Sequence, residues 1–365
     1  MAVPLQDLRA QLATIRDDVV AAMLRVVDDQ SFILGEPVGK LESAVAELSR
    51  TKFAIGCASG TDALLLALRA LDIGRGDEVI TTPFTFFATA GTIHNVGATP
   101  VFVDIDPETF NIDVDKVAAA ITPRTRAIIP VDLFGQMAAI EQLVALGLPI
   151  IEDAAQSIGA RRAIDGEWRM AGEVATIGTL SFFPTKNLGA YGDGGMMVTQ
   201  DEKLAQRLLR LRTHGGTKTY YHDEVGYNSR LDTLQAAVLL AKLPHLADWS
   251  ARRRAHAEYY TAALADCVTT PVVSPENESI FNQYTVRSPR RDALQAHLKA
   301  RGIGTSIYYP LPLHLQPCFA YLGYKEGQLP EAERASREVL SLPIFPELTP
   351  VQQNEVIDAV RTFCV

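Results

Sequence analysis

Seven short apolar runs, "FAIGCAS", "DEVITTP", "TPVFVDI", "RAIIPVDLF", "LPIIEDAA", "TIGTLSFF" and "GGMMVTQ", recur between residues 53 and 200, with helix-like segments between most of them. Runs this short and rich in β-branched residues bury both faces only when helices cover them, so the alternation demands an α/β domain around a mostly parallel central sheet. At 365 residues the chain exceeds the size of one hydrophobic core, and a large domain with a smaller partner is expected. From Ser229 to about Leu264 the pattern is helical, with Leu234, Val238 and Ala241 on one face and Pro244 as a break. Beyond it "YTVRSP" reads as a strand, "RDALQAHLKARG" as a helix closed by Gly302, and "IGTSIYY" as another strand. The expected division is a large α/β domain over residues 1–250 and a small C-terminal α+β domain over residues 251–365.

Composition narrows the function. A hydrophobic content of 47% with 21% charged residues is that of an ordinary globular protein. The net charge of -9, without clustered Lys and Arg, argues against nucleic acid as a partner. Arg252, Arg253 and Arg254 read as a solvated helix face. The four cysteines show no C-x-x-C pair, so neither a metal site nor a redox motif is expected, and reduced thiols fit the cytoplasm. The stretch "MAVPLQDLRAQLATIRDDVV" lacks a continuous apolar segment and no later run is long enough to span a membrane, so a soluble cytoplasmic protein is expected.

Three stretches carry chemistry. In "CASGTDALLLALRAL" the residues Ser59, Gly60 and Thr61 precede an apolar helix, whose free N–H groups can hold a phosphate or simply be capped by a hydroxyl. The G-K-[ST] ending of a nucleoside-triphosphate loop is missing. In "PIIEDAAQSIGA" the pair Glu152–Asp153 follows a strand, where one acid can face a ligand, cap a helix or bind magnesium. In "LSFFPTKNLGAYGDGG" a lone Lys186 follows an apolar run and precedes four glycines. A lysine desolvated at a strand end becomes a nucleophile toward aldehydes, and pyridoxal 5'-phosphate needs such a lysine with an acid for its ring nitrogen. Phosphate cradle, acid and lysine occur here in that chain order.

These motifs, with "SFILGEPVGKLE", "PFTFFATA", "GYNSRLDTLQAAVL" and "YYPLPLHLQPCF", make nearly the whole chain resemble the fold-type I pyridoxal-phosphate enzymes, and among them the nucleotide-sugar aminotransferases. The resemblance implies that Lys186 forms a Schiff base with the cofactor, that Asp153 pairs with the ring nitrogen and that Gln156 bonds the phenolic oxygen. It implies further that Phe86 stacks on the ring, with Phe87 pointing the other way along a strand, and that Gly60, Thr61 and Ser181 hold the phosphate. Asn228 would reach the phosphate bound by the partner of a homodimer. L-glutamate is the implied amino donor and a nucleotide-linked ketohexose the acceptor, "GAYGDGG" favouring amination at the sugar 3-position over the 4-position. Tyr308, Tyr309 and His314 are candidates for the substrate pocket. The competing readings are a sugar dehydratase, which in this family carries histidine in place of the lysine, an amino-acid aminotransferase, for which Arg287, Arg290 and Arg291 show no clamp motif, and a non-catalytic regulator.

Overall fold

A computed structural model describes residues 2–364. In chain order come β1 (Phe53–Cys57), β2 (Glu78–Thr81), β3 (Thr99–Phe102), β4 (Thr125–Ile129) and β5 (Ile151–Asp153), then a hairpin of β6 (Arg161–Ile164) and β7 (Glu167–Met170), then β8 (Ile177–Ser181) and β9 (Gly195–Thr199). The short β10 (Asn277–Glu278) and the pair β11 (Tyr284–Arg287) and β12 (Val339–Leu342) follow. All seven apolar runs are strands. β3, β2 and β4 pair in parallel, β5 pairs β8 in parallel, and single parallel bridges Ile128–Ile150 and Val131–Asp153 join the two groups. The sheet therefore reads β3-β2-β4-β5-β8-β9-β1, with only β9 reversed against both neighbours. Residues 182–194 contain no helix to carry the chain back across the sheet, so β9 returns antiparallel.

Both faces of this sheet are buried. Ile80, Ile128, Leu180 and Met196 enter one core, while Val79, Ile129, Ile177 and Met197 enter the other, alternating along each strand as the pleat requires. The first core is covered partly by α2 (Glu36–Leu48), while α1 (Leu8–Asp29), whose start is capped by Asp7 accepting from the N–H groups of Arg9 and Ala10, packs on the helix Thr233–Lys242. The second is covered by α3 (Gly60–Ala70); α4 (Phe87–Asn95) packs beside it. A third core takes Tyr260, Leu264, Tyr284, Val286, Leu298, Leu340 and Val360 from the C-terminal third together with Val3, which pairs in parallel with Ile303. The helix Leu246–Leu264 runs through residue 250, so the boundary expected there falls inside a helix. Pro244 lies in a single 3-10 turn, Leu243–His245, between that helix and Thr233–Lys242.

Two sequence expectations change, and one element had no expectation. "IGTSIYY" is no strand; Ile303 and Ser306 make single bridges to Val3 and Ser341, and the chain then turns through Tyr309 at φ 59°. Arg253 is not solvated: it is buried, and its guanidinium donates to the carbonyls of Phe281, Asn282 and Ile344. The β6–β7 hairpin went unread, although its Asp165–Gly166 turn, with φ of 52° and 81°, is a strong local signal for one. Among the described residues no helix is long and apolar enough to cross a membrane, and no group of three or more His, Cys, Asp or Glu could hold a metal ion.

Candidate active site

The carboxyl ends of β1, β5 and β8, with the loops that follow them, enclose a cavity of about 560 Å³, the place where open α/β sheets bind ligands. Ser59 takes extended backbone angles and its Oγ accepts from the Asp62 N–H at 3.1 Å, so it caps α3. The N–H groups of Gly60 and Thr61 then have no intrahelical acceptor, and both residues line the cavity beside Ser181. Side chains would close this cradle: a Cβ on Gly60 would lie 2.6 Å from the Ser181 Cβ, and one on Gly195 would lie 2.3 Å from the Ser59 carbonyl oxygen. The donors are those of an anion site, and the space they leave suits a phosphate.

Of the acidic pair, Asp153 faces the cavity and Glu152 is buried away from it. Asp153 Oδ2 accepts from the Thr89 hydroxyl at 2.9 Å, and its Oδ1 from the Ala155 N–H at 3.3 Å. Burial raises Asp153 above the usual carboxylate range, against the pull of those hydrogen bonds and of the Lys186 charge. Lys186 sits in the tight turn after β8, its N–H donating to the Phe183 carbonyl at 2.8 Å. Part of its side chain is open to the cavity, but the protein packed around the amine lowers it to about 8, Asp153 opposing the shift. Lysine and acid therefore share one cavity and sense each other's charge.

Gln156 is fixed in one orientation. The Phe134 N–H can only donate, so Gln156 Oε1 accepts it at 2.7 Å, and Nε2 is left to donate to the Tyr309 hydroxyl at 2.8 Å on the cavity side. Phe86 is 61% exposed and forms a cavity wall. It belongs to no strand: it caps α4, and Phe87, the first residue of that helix, turns away to stack on Phe319 at 5.7 Å. The opposed directions expected from a pleat arise instead from the start of a helix.

Tyr308 and Tyr309 line the cavity, but His314 does not. It is fully buried, with Nε2 3.2 Å from Glu333 Oε1, because the 3-10 turn Leu313–Leu315 packs it under the helix Pro330–Glu338. Asn228 is exposed, bridges to Thr213 and lies outside its own chain's cavity. Arg287, Arg290 and Arg291 are engaged elsewhere, with Glu338, the Phe363 ring and Asp292, and among the described residues no arginine lines the cavity. Sequence reasoning missed Thr85 and Thr89, whose hydroxyls meet at 3.0 Å and through Thr89 hold Asp153. Their four-residue spacing is visible in "TFFAT", but the acid they serve is 64 residues away.

Residues 13–361 match the model of the DegT/DnrJ/EryC1/StrS aminotransferase family. The chain belongs to that family. It is 54% identical to a pleiotropic regulatory protein of Geobacillus stearothermophilus, covering 100% of this chain and 99% of the relative. It is 47% identical to the UDP-N-acetyl-3-dehydro-alpha-D-glucosamine 3-aminotransferase of Acidithiobacillus ferrooxidans, covering 99% and 97%. The crystal structure of S. venezuelae DesV in complex with a ketimine intermediate superposes with a TM-score of 0.97 at 45% identity, over 100% of this chain and 98% of that one. The DegT/DnrJ/EryC1/StrS member described here is thus an enzyme, an aminotransferase with the fold-type I architecture of pyridoxal-phosphate-dependent transferases.

Proposed function

We propose that the protein binds pyridoxal 5'-phosphate and moves an amino group from L-glutamate to a nucleotide-diphosphate-linked ketohexose, at the 3-position, as a cytoplasmic homodimer with shared active sites. The observation that carries the reading is the meeting of the Lys186 amine and the Asp153 carboxyl in one cavity closed by a phosphate-sized cradle. Bound there, the cofactor supplies an aldehyde and an electron-accepting ring. The main-chain N–H groups of Gly60 and Thr61 and the Ser181 hydroxyl would hold its phosphate. Phe86 would pack on the ring, Gln156 would donate to the phenolic oxygen, and Asp153 would keep the ring nitrogen protonated. A cation against Asp153 would add to the Lys186 charge in favouring its buried carboxylate. Lys186, lowered to about 8, offers a sizeable fraction of free amine near neutrality, and its Nζ can take and return the proton at the carbon that carries the amino group.

Tyr308 and Tyr309 are the proposed acceptor contacts. Asn228, outside its own cavity, serves the partner's phosphate. Residues 1–250 would hold the cofactor and residues 251–365 close over the substrate. The relatives named for UDP-linked and dTDP-linked 3-amino sugars support the 3-position and a nucleotide carrier. The diphosphate and base lie far from the reacting carbon, yet their binding energy orients it. The regulatory name of the Geobacillus relative keeps a sensor reading in view, and one experiment separates the two.

Purified protein is supplied with 2-oxoglutarate and a panel of 3-amino and 4-amino nucleotide sugars, and glutamate is followed. Glutamate from the 3-amino members is expected. Glutamate from the 4-amino members alone would overturn the position, and none from any nucleotide sugar would overturn the substrate class. A protein that takes up the cofactor without a borohydride-trapped adduct on Lys186 is a sensor and no transaminase.

A further inference from the structure

Behind Asp153, buried away from the cavity, lies a carboxyl that the proposed chemistry does not use. Glu152 is fully buried and neither of its carboxyl oxygens has a hydrogen-bond partner. Its cross-strand neighbour is Gly178, where a Cβ would lie 2.6 Å from the Gly172 Cα, so the main chain of Gly172 packs straight onto the sheet there and keeps water away. Against Glu152 stands Asp132, also buried, in the loop after β4. The two acids are not equivalent. Asp132 Oδ1 accepts from the Ala138 N–H at 2.9 Å and Oδ2 from the Ser157 hydroxyl at 2.7 Å, whereas Glu152 makes no well-formed hydrogen bond and has only the Gly172 main-chain N–H near enough to favour its charge. Asp153, turned to the cavity from the next position of β5, adds its charge to the strain on Asp132, and among the described residues no lysine, arginine or histidine hydrogen-bonds either acid. Two adjacent buried carboxylates, one with a single weak main-chain donor, are strongly disfavoured, and a single proton relieves both.

We propose that Glu152 is a positioning residue kept as the neutral acid, its O–H donating to the Asp132 carboxylate. The Asp132 N–H donates to the Asp153 carbonyl at 3.0 Å, the Asp153 N–H donates to the Pro130 carbonyl at 2.9 Å, and the loop that continues from Asp132 supplies the Phe134 N–H that orients Gln156. One proton therefore ties the turn bearing Asp153 and Gln156 to the loop beneath the cavity. It also leaves Asp132 with three donors against two for Asp153, so that Asp153 is the less satisfied carboxylate and the one turned to the cavity. Burial, and then Asp132, hold Glu152 well above the carboxylate range, and burial lifts Asp132 to about 6. The positioning role rests on the proposed cofactor reading; the protonation does not.

The test compares full-length wild type with Glu152→Gln, which keeps a neutral donor, and Glu152→Leu, which has none. In the unfolded chain Glu152 ionises above its ordinary value of 4.5, while in the folded chain it keeps its proton, so this group makes wild type lose stability as pH rises. Glu152→Gln escapes that loss. In urea unfolding of the apo protein its unfolding constant relative to wild type is expected to fall by up to about tenfold per pH unit between about pH 5 and 7. The infrared carbonyl band of a protonated acid is expected in wild type at neutral pH and lost in Glu152→Gln. A pH-independent stability difference, or an absent band, overturns the proposal. For positioning, Glu152→Gln should bind pyridoxal phosphate within about threefold of wild type and Glu152→Leu roughly tenfold or more weakly. Equal binding by Glu152→Leu overturns the positioning role. Failure of the cofactor reading shows separately, as wild type with no adduct on Lys186 and an unchanged stability result.

Discussion

Lys186 must be buried enough to be a nucleophile and open enough to meet a substrate, and the buried amine weakens the fold that holds it. Its folded value is about 8 against 10.5 in the free chain, so below pH 8 the charged amine is a full liability that fades as the folded state deprotonates between 8 and 10.5. Apo Lys186→Met is therefore expected to melt above wild type at pH 7, with the gap closing from pH 8 to 10.5 in thermal scans; a gap that widens with pH would contradict the assignment. Thr89→Val removes the hydroxyl that holds Asp153 Oδ2. Loss of one such bond, about 1 kcal/mol, should weaken pyridoxal phosphate binding roughly fivefold in a spectrophotometric titration while the fold is retained. Lys186 stands out in the sequence as a lone lysine after a strand, whereas the choice of Asp153 over Glu152 rests on the family resemblance, and the structure puts Lys186 and Asp153 on one cavity. Thr89 could not be picked from sequence, because its role depends on α4 meeting β5. His314 was misplaced for the converse reason: a histidine beside two tyrosines looks like a pocket, and only packing shows it paired with Glu333.

The loop after Lys186 is held by a helix that never enters the cavity. Gln235 Oε1 accepts from the Tyr191 N–H at 2.8 Å, and the buried Lys242 amine donates to the Gly189 carbonyl at 2.6 Å while lying 4.4 Å from the centre of the Tyr191 ring. Both come from Thr233–Lys242. Lys242→Met would leave the Gly189 carbonyl unpaired, at about 1–1.5 kcal/mol, and amide exchange at residues 187–195 should quicken roughly tenfold; unchanged exchange would mean that the clamp is idle. At this scale the sequence was most readable where periodicity is local. The seven sheet strands and the break at Pro244 follow from short windows, and the order in which those strands pair does not, since it is fixed by contacts far apart in the chain. "IGTSIYY" had the composition of a strand but found single partners at Val3 and Ser341 in place of a ladder.

For the whole molecule, the exposed Asn228 predicts complementation. If each site of a two-fold dimer draws Lys186 from one subunit and Asn228 from the other, then Asn228→Ala and Lys186→Ala subunits, each nearly inactive alone, should together regain about a quarter of wild-type activity after equal mixing. No recovery, with mixed dimers present by native mass spectrometry, would place both residues in one subunit's site. The pairing of Val3 with Ile303 has a mechanical side. The polypeptide is anchored in the C-terminal core at residue 3, leaves it to build the great sheet, and re-enters it through the helix Leu246–Leu264. Two stretches of polypeptide therefore join that core to the sheet. One of them passes Gln6, whose side-chain amide donates to the carbonyl of Thr185 at 3.1 Å, next to Lys186. Any displacement of the C-terminal core relative to the sheet would thus be felt at the very turn that presents the Lys186 amine.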